Sequence, residues 1–497
     1  MSPGLSGEWY SAGCADFSRR EYALASACFR KALELRPQWP EAQHDFGRAL
    51  FKLGEVDEAL DQFRQAAAGG DPAKPQAAIA LIIPGSSRSD NQTILDARRT
   101  WAERQLPPSP MVPSGHSKKA DRLLRIGYVS SFFQYHNWMK PVWGLVNHHD
   151  RDQFEIHLFS DAPKCKVQYG YLANSKDQFH DTSGLSNEII AQRLRDAQID
   201  LVVDLNGYSD MSRLSLFTMR PASVVVGWFN MYATTGIAGY DYLIGDNLVI
   251  PPQEEQFYCE KIARVPGSYL TFEVGYPVPP VADPPCMSEA ITFGSLAPLY
   301  KITDEVMSTW SRILQQTPNG SLILKNRALA SPATRQFVLS RFERHHISPK
   351  RVRLHGPSDH YDFLKTYAEI DIALDTFPYN GGTTSMEAIW QGVPLVTFWG
   401  DRWASRTSAS ILHASGLRDF VAQGLEEYVS LAISLAKSPE RLLTFRRNMR
   451  SRLSSSAVCD TQTFARNTER LYIQMINGTA PGREEWCGAQ LADTQNK

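Results

Sequence analysis

Between residues 6 and 73 four positions return at a spacing of 34 residues: Gly13 and Gly47, Ala25 and Ala59, Phe29 and Phe63, Ala32 and Ala66. A repeat of that length holds two short helices and their turns, and little else. Small residues at the glycine and alanine positions let antiparallel helices approach closely, and each phenylalanine is expected to wedge against the next helix. Trp9 opens the first unit, Pro37 closes it and Pro72 follows the second. Accidental similarity between two ordinary hairpins does not explain four positions in register. Two repeats are fewer than a free-standing solenoid needs, so they must lean on something else. Helical residues around 75–105 are suited to supply that support.

The pattern resembles a pair of tetratricopeptide repeats, 6–39 and 40–73, inside a helical region spanning 1–105. A Pro/Ser-rich linker follows at 106–120. Beyond it the texture changes to short β-rich runs alternating with helical segments, in two successive series that meet near a proline-rich stretch at Pro277–Pro285. The first series places strands at Leu124–Ser130, Phe154–Phe159, Leu201–Leu205, Val224–Phe229 and Tyr242–Ile244. The second places them at Ile291–Ser295, Ser321–Lys325, Val352–Leu354, Ile372–Leu374 and Leu395–Phe398. Such alternation specifies parallel sheets covered on both faces. The boundaries read from it are one lobe over 121–285, a second over 286–478 and a tail at 479–497. The helical segment Thr461–Ile476 is placed to cross back to the first lobe.

Composition excludes more than it suggests. Fifty-two lysines and arginines against 53 aspartates and glutamates leave a net charge of −1 in 497 residues, which gives no bulk attraction for nucleic acid or an anionic membrane. The N-terminus shows no secretory signal and no stretch approaches 18 apolar residues, so a membrane span is not expected. Seven scattered cysteines without a C-x-x-C pair fit a reduced, cytoplasmic chain.

The densest chemical signal is Asp371-Ile-Ala-Leu-Asp375-Thr-Phe-Pro-Tyr-Asn-Gly381-Gly382-Thr383-Thr384-Ser-Met-Glu387. A strand ends at Asp375, a Pro/Gly loop follows and a helix begins at the threonines. Glycines let backbone approach a ligand closely, and hydroxyls with N–H groups at a positive helix end suit an anion. Glu387 lies one turn on, within reach of a ribose. Taken alone, the same residues also spell a Thr N-cap with a glutamate near the third position, an ordinary capping box. Neighbouring segments shift the balance. Lys301 follows the first strand of the second lobe, Arg402 and Arg406 follow a later one, and His136 follows the first strand of the first lobe. Asp204-Leu-Asn206-Gly207-Tyr208 and Tyr232-Ala-Thr234-Thr235-Gly236 end two more strands with polar turns.

In that order these motifs resemble the O-linked N-acetylglucosamine transferase family, including its SPINDLY-type branch, over about 6–475. The resemblance implies an α/β architecture of two Rossmann-like lobes of the GT-B type, preceded by α-helical tetratricopeptide repeats. It implies an inverting, metal-independent glycosyltransferase that needs no cofactor. Such an enzyme moves a sugar from a nucleotide-sugar donor to Ser or Thr of a polypeptide acceptor held by the repeats. UDP-N-acetylglucosamine is the favoured donor, with UDP-glucose and GDP-fucose as alternatives. A catalytically silent interaction protein and a sugar-nucleotide epimerase are the competing readings. Repeats of this kind often mediate self-association, which is an analogy and leaves the oligomeric state open.

Position by position, the resemblance gives Lys301 and His136 catalytic places, the lysine on the donor diphosphate and the histidine facing sugar and acceptor as a candidate general base. It assigns Gly382, Thr383 and Thr384 to the phosphates, Glu387 to the ribose, and Ser358 and His360 to the nucleobase side. Departures cluster around base, sugar and acceptor. Gly382 stands where animal-type enzymes carry histidine, Phe363 replaces a nucleobase-side histidine, and Pro298 replaces a glutamine. Asn230-Met-Tyr-Ala233 stands for Gly-Tyr-Pro-Gly, and Phe132 stands for an aspartate.

Overall fold

The computed structural model describes residues 3–110, 122–163, 170–287 and 290–480, apart from the side chains of His136 and Asn137. Most of the expected linker and tail lies outside these residues, as do Cys165 and Cys487. The described residues form two compact units, each built from two stretches of chain. One joins Met1–Asp90 to Pro277–Ser454, and the other joins Asn91–Tyr276 to Ser455–Lys497. Their seams therefore fall at 90, 276 and 454.

The chain opens with two helical hairpins, α1 (Pro3–Ser18) with α2 (Tyr22–Leu35) and α3 (Pro40–Lys52) with α4 (Val56–Gly69), followed by α5 (Ala73–Ile82). A Cβ built on Gly13 would lie 2.6 Å from the Phe29 ring, and one on Gly47 would lie 2.7 Å from the Phe63 ring. Each phenylalanine thus packs on the glycine of its own hairpin rather than on the next helix, which is why both recur at one period. The hairpins lean on the second α/β series, as two repeats must. Buried Arg341 donates to Leu53 O at 3.2 Å and lies 3.4 Å from Glu55 Oε1, and the Phe51 ring packs on Tyr300 at 5.1 Å. Helix α6 (Asn91–Gln105) belongs to the other unit. There its buried Arg98 donates to Thr234 O at 2.7 Å and lies over the Tyr208 ring at 3.8 Å.

That second unit is organised by β1 (Leu124–Ser130), α7 (His136–Val146), β2 (Phe154–Ser160), β3 (Gln178–Asp181), α8 (Asn187–Asp196) and β4 (Leu201–Asp204). It continues with α9 (Leu214–Thr218), β5 (Val224–Gly227), β6 (Tyr242–Gly245) and β7 (Lys261–Arg264). All seven strands are parallel, in the order β3-β2-β1-β4-β5-β6-β7. The other sheet begins with β8 (Thr292–Ser295), α10 (Asp304–Gln316), β9 (Ser321–Lys325), α11 (Pro332–Arg344), β10 (Val352–His355), α12 (His360–Lys365) and β11 (Ile372–Leu374). Next come α13 (Thr383–Trp390), β12 (Leu395–Phe398), α14 (Thr407–Ala414), β13 (Val421–Ala422), α15 (Leu425–Ala436) and α16 (Pro439–Ser454). Its six strands are also parallel, ordered β10-β9-β8-β11-β12-β13.

The last helix, α17 (Thr461–Ile476), returns to the first sheet's unit. Buried Glu469 accepts from His149 Nδ1 at 2.9 Å and from Asp150 N at 2.8 Å, and Tyr472 meets Tyr128 at 3.2 Å. The strands that sequence reading did not foresee, β3, β7 and β13, all lie at sheet edges. Edge strands lack the two-sided burial that writes a continuous apolar run. Among the described residues no helix is long and apolar enough to cross a membrane.

The glycine contacts yield a matched pair of substitutions. Gly47→Ala should destabilise the helical region by about 1–3 kcal/mol, because the new methyl overpacks the Phe63 ring. Gly7→Ala, in α1 with nothing within 4 Å of the new methyl, should be neutral or gain roughly 0.5–1 kcal/mol. Thermal unfolding of the two variants measures the contrast.

Candidate active site

In an open parallel sheet, ligands bind beyond the strand C-termini where the strand order reverses. In the second sheet that point lies between β8 and β11. Lys301 follows β8, and the loop from Asp375 to Gly382 follows β11, so topology alone brings the two segments together.

The loop is held by a buried carboxylate. Asp375 Oδ1 accepts from Thr376 N and Gly381 N, both at 3.0 Å, and Oδ2 accepts from Thr397 Oγ1 at 2.8 Å. Burial pushes this carboxyl's pKa upward, while these donors and the Lys301 charge pull it back. Asn380 adds a second tie, with Nδ2 donating to Thr376 O at 2.7 Å and its N–H to Ala404 O at 2.9 Å. Gly381 has no room for a side chain, because a Cβ there would collide with the hydroxyls of Ser385 and Thr384. Helix α13 then starts at Thr383 with Gly382 as its N-cap, which has no side chain to give the first-turn N–H groups. The capping-box alternative is thereby removed. Among the described residues neither the Thr383 nor the Thr384 hydroxyl has a hydrogen-bond partner, and the positive end of α13 stands open.

Lys301 Nζ donates to Asn380 O at 2.6 Å and lies 3.9 Å from the centre of the Tyr379 ring. Burial pushes its pKa down to about 8, against the opposing pull of Asp375. A partly desolvated ammonium beside an open helix end gains strongly from an incoming anion. Asp375 and Asn380 were not singled out as site residues in the sequence, although their place directly after β11 was the signal for them.

The remaining second-lobe residues divide. His360 Nε2 lies 2.9 Å from Glu387 Oε1, and its ring is nearly parallel to Phe363. His360 and Glu387 are therefore one polar pair. Ser358 is exposed and donates to Asp359 O at 3.0 Å, so the structure does not draw it into the group. Arg402 is 3% exposed and tied to Asp401 and to Ser86 O, a fastening role. Beside the loop lies a cavity of about 410 Å³, lined on the lobe side by Pro298, Phe363 and Thr384, a volume suited to a small ligand. Among the described residues no three of His, Cys, Asp and Glu gather as a metal-binding set.

The first sheet reverses its order between β1 and β4. Here Asn206 Oδ1 accepts from Ser131 N at 2.9 Å, and Ser131 Oγ donates to Asp161, which pairs with Arg213 at 2.6 Å. Buried Asp204, its pKa raised to about 6 by burial, accepts from Tyr240 Oη at 2.7 Å and Asn206 N at 2.8 Å. His136 is the first residue of α7, beyond β1, and its side chain lies outside the described residues.

The sequence profile of glycosyl transferase family 41 matches residues 108–275 and 285–468, most of both α/β series. The chain belongs to glycosyl transferase family 41. Its relatives include a protein from Solanum lycopersicum named as a probable UDP-N-acetylglucosamine–peptide N-acetylglucosaminyltransferase SPINDLY, 32% identical over 81% of this chain and 45% of its own length. A Hordeum vulgare protein of the same name is 34% identical over 81% of this chain and 44% of its own. The chain thus spans somewhat under half the length of these curated relatives. Among solved structures, a mutant of Thermobaculum terrenum O-GlcNAc transferase superposes with a TM-score of 0.83 at 28% identity, covering 96% of this chain and 92% of that one. Family 41 membership accounts for the two α/β series, and the superposed structure extends the likeness over nearly the whole chain.

Gly381→Ala tests the loop. The added methyl has to displace the Ser385 and Thr384 hydroxyls, so the variant should lose roughly 1–3 kcal/mol of stability. Thermal unfolding measures it.

Proposed function

We propose that this family 41 chain transfers a sugar from a nucleotide-sugar to Ser or Thr hydroxyls of a polypeptide, with N-acetylglucosamine from UDP-N-acetylglucosamine as the leading donor. The observation that carries the reading is Lys301 beside the open N-terminus of α13 at the switch point of the second sheet. As the glycosidic bond breaks, negative charge grows on the leaving diphosphate. A fixed cation and fixed N–H donors stabilise that charge with little reorganisation. In this reading Thr383 and Thr384 hold the phosphates and Glu387, oriented by His360, receives the ribose. The acceptor hydroxyl attacks the anomeric carbon from the face opposite the leaving group, inverting it, and His136 takes its proton. Lys301 and the helix end supply the charge that a divalent ion supplies elsewhere, so the reaction runs without metal.

Phe363 on the cavity wall and the engagement of His360 with Glu387 set the nucleobase side apart from the animal-type pattern. GDP-fucose therefore belongs in any donor panel beside the UDP-sugars. Hydrolysis and binding across that panel, in wild type and Lys301→Ala, test the proposal. Wild type should use one donor, and the substitution should cut turnover by about two orders of magnitude, the scale of losing an oxyanion donor. Equal turnover in the two proteins sinks the role of Lys301, and a wild type that binds no nucleotide-sugar leaves a silent interaction protein.

The Lys301 ammonium also sets a pH dependence. Its charge is half lost at about pH 8, so kcat/KM for the donor should decline as pH rises through that value. A bound diphosphate raises the ammonium's pKa, which should move the alkaline limb of kcat upward. A flat profile from pH 7 to 10 contradicts this.

A further inference from the structure

The cavity beside the donor loop has a second wall, made by the repeats. Arg20, from the turn between α1 and α2, and Lys52, the last residue of α3, line it together with Arg327 and Asn326 that follow β9. Thr384 and Phe363 line the same cavity, and none of its lining residues is acidic. Lys52 is flanked by Arg48 and Arg20, and burial together with these two like charges lowers its pKa. Asn326 is 9% exposed, and its amide nitrogen has no hydrogen-bond partner among the described residues. Arg20 and Arg327 are exposed at the rim, whereas Lys52 is held against burial and like charge beside an unused donor, a combination that an incoming anion relieves.

The repeat itself singles out Arg20. Thirty-four residues on, the equivalent turn position is Gly54, at φ +85°, where glycine is at ease. Arg20 occupies the same left-handed region at φ +65°. That backbone disfavours any side chain, so the turn carries its guanidinium at the expense of strain. The diphosphate already has Lys301, Thr383 and Thr384. The repeat-borne cations are left for a different anion, presented from the polypeptide side.

We propose that Arg20, Lys52 and Arg327 form an acceptor-specificity site that selects polypeptide segments carrying Asp or Glu side chains near the Ser or Thr to be modified. This rests on the protein glycosyltransfer reading above. Charge-assisted hydrogen bonds from the two guanidiniums and the ammonium, with the Asn326 amide, hold the acidic side chain and align the hydroxyl beside the donor cavity.

The test uses serine peptides that differ only in glutamate or glutamine at flanking positions, with donor hydrolysis measured in parallel as the internal reference. Wild type should prefer the glutamate peptides by about tenfold or more in kcat/KM, and raising salt should erode that preference. Arg20→Gly, which restores the residue that repeat two carries, should melt at the same or a higher temperature. It should lose most of the preference while keeping the donor KM. Lys52→Ala and Arg327→Ala should act in the same direction. Equal use of glutamate and glutamine peptides by wild type overturns the proposal. So does a donor KM that rises with the peptide KM, which would assign the cations to the donor. Failure of the underlying reading looks different, since wild type would then hydrolyse no nucleotide-sugar at all.

Discussion

The buried carboxylate of Asp375 is the contact on which the second-lobe site depends. It gathers Thr376, Gly381 and Thr397 around one strand end, and so fixes where Gly382, Thr383 and Thr384 begin α13. Through Asn380 the same loop positions the Lys301 ammonium. A carboxylate this deep is costly unless satisfied, and here each oxygen has donors. The arrangement gives the anion an architectural part and leaves the cation at the mouth of the loop, fastened by a single carbonyl.

The helical repeats are structurally a wall of the lobe rather than an appendage. Besides the Leu53 and Phe51 contacts, Glu21 accepts from Ser331, and a Cβ on Gly54 would collide with Ile302 O. Removing the helices would bare Arg341, which is 0% exposed, and would open the cavity on one side. Truncation therefore confounds folding with acceptor binding, and point changes on the repeat surface separate the two.

Much of this architecture was legible in the chain. The 34-residue period marked the hairpins, and all ten strands read as apolar runs were found within a few residues of their expected limits. What escaped was written in weaker signals. Edge strands such as Gln178–Asp181 carry no continuous apolar run, and the helices α15 and α16 lack a chemical motif to draw notice. At the site, strand order set Lys301 against Asn380 in the loop that leads into the Gly-Thr-Thr segment, two strand ends that the sequence singled out separately. The pairing of His360 with Glu387 and the exposure of Ser358 depend on side-chain direction, which residue types alone do not specify. The cationic wall was equally hidden, because Arg20 and Lys52 lie about 300 residues from Arg327 in sequence. The near-zero net charge concealed it as well.

The central claim is that the Asp375-held loop is a nucleoside diphosphate cradle. Calorimetric titration of UDP and GDP into wild type and Asp375→Asn tests it most directly, with the melting temperature as a check on folding. One of the two nucleotides should bind wild type, and the substitution should weaken it by about tenfold or more through loss of charge-assisted acceptors, with Lys301 and both threonines intact. Equal affinity in a folded variant, or no binding of either nucleotide to wild type, would contradict the account.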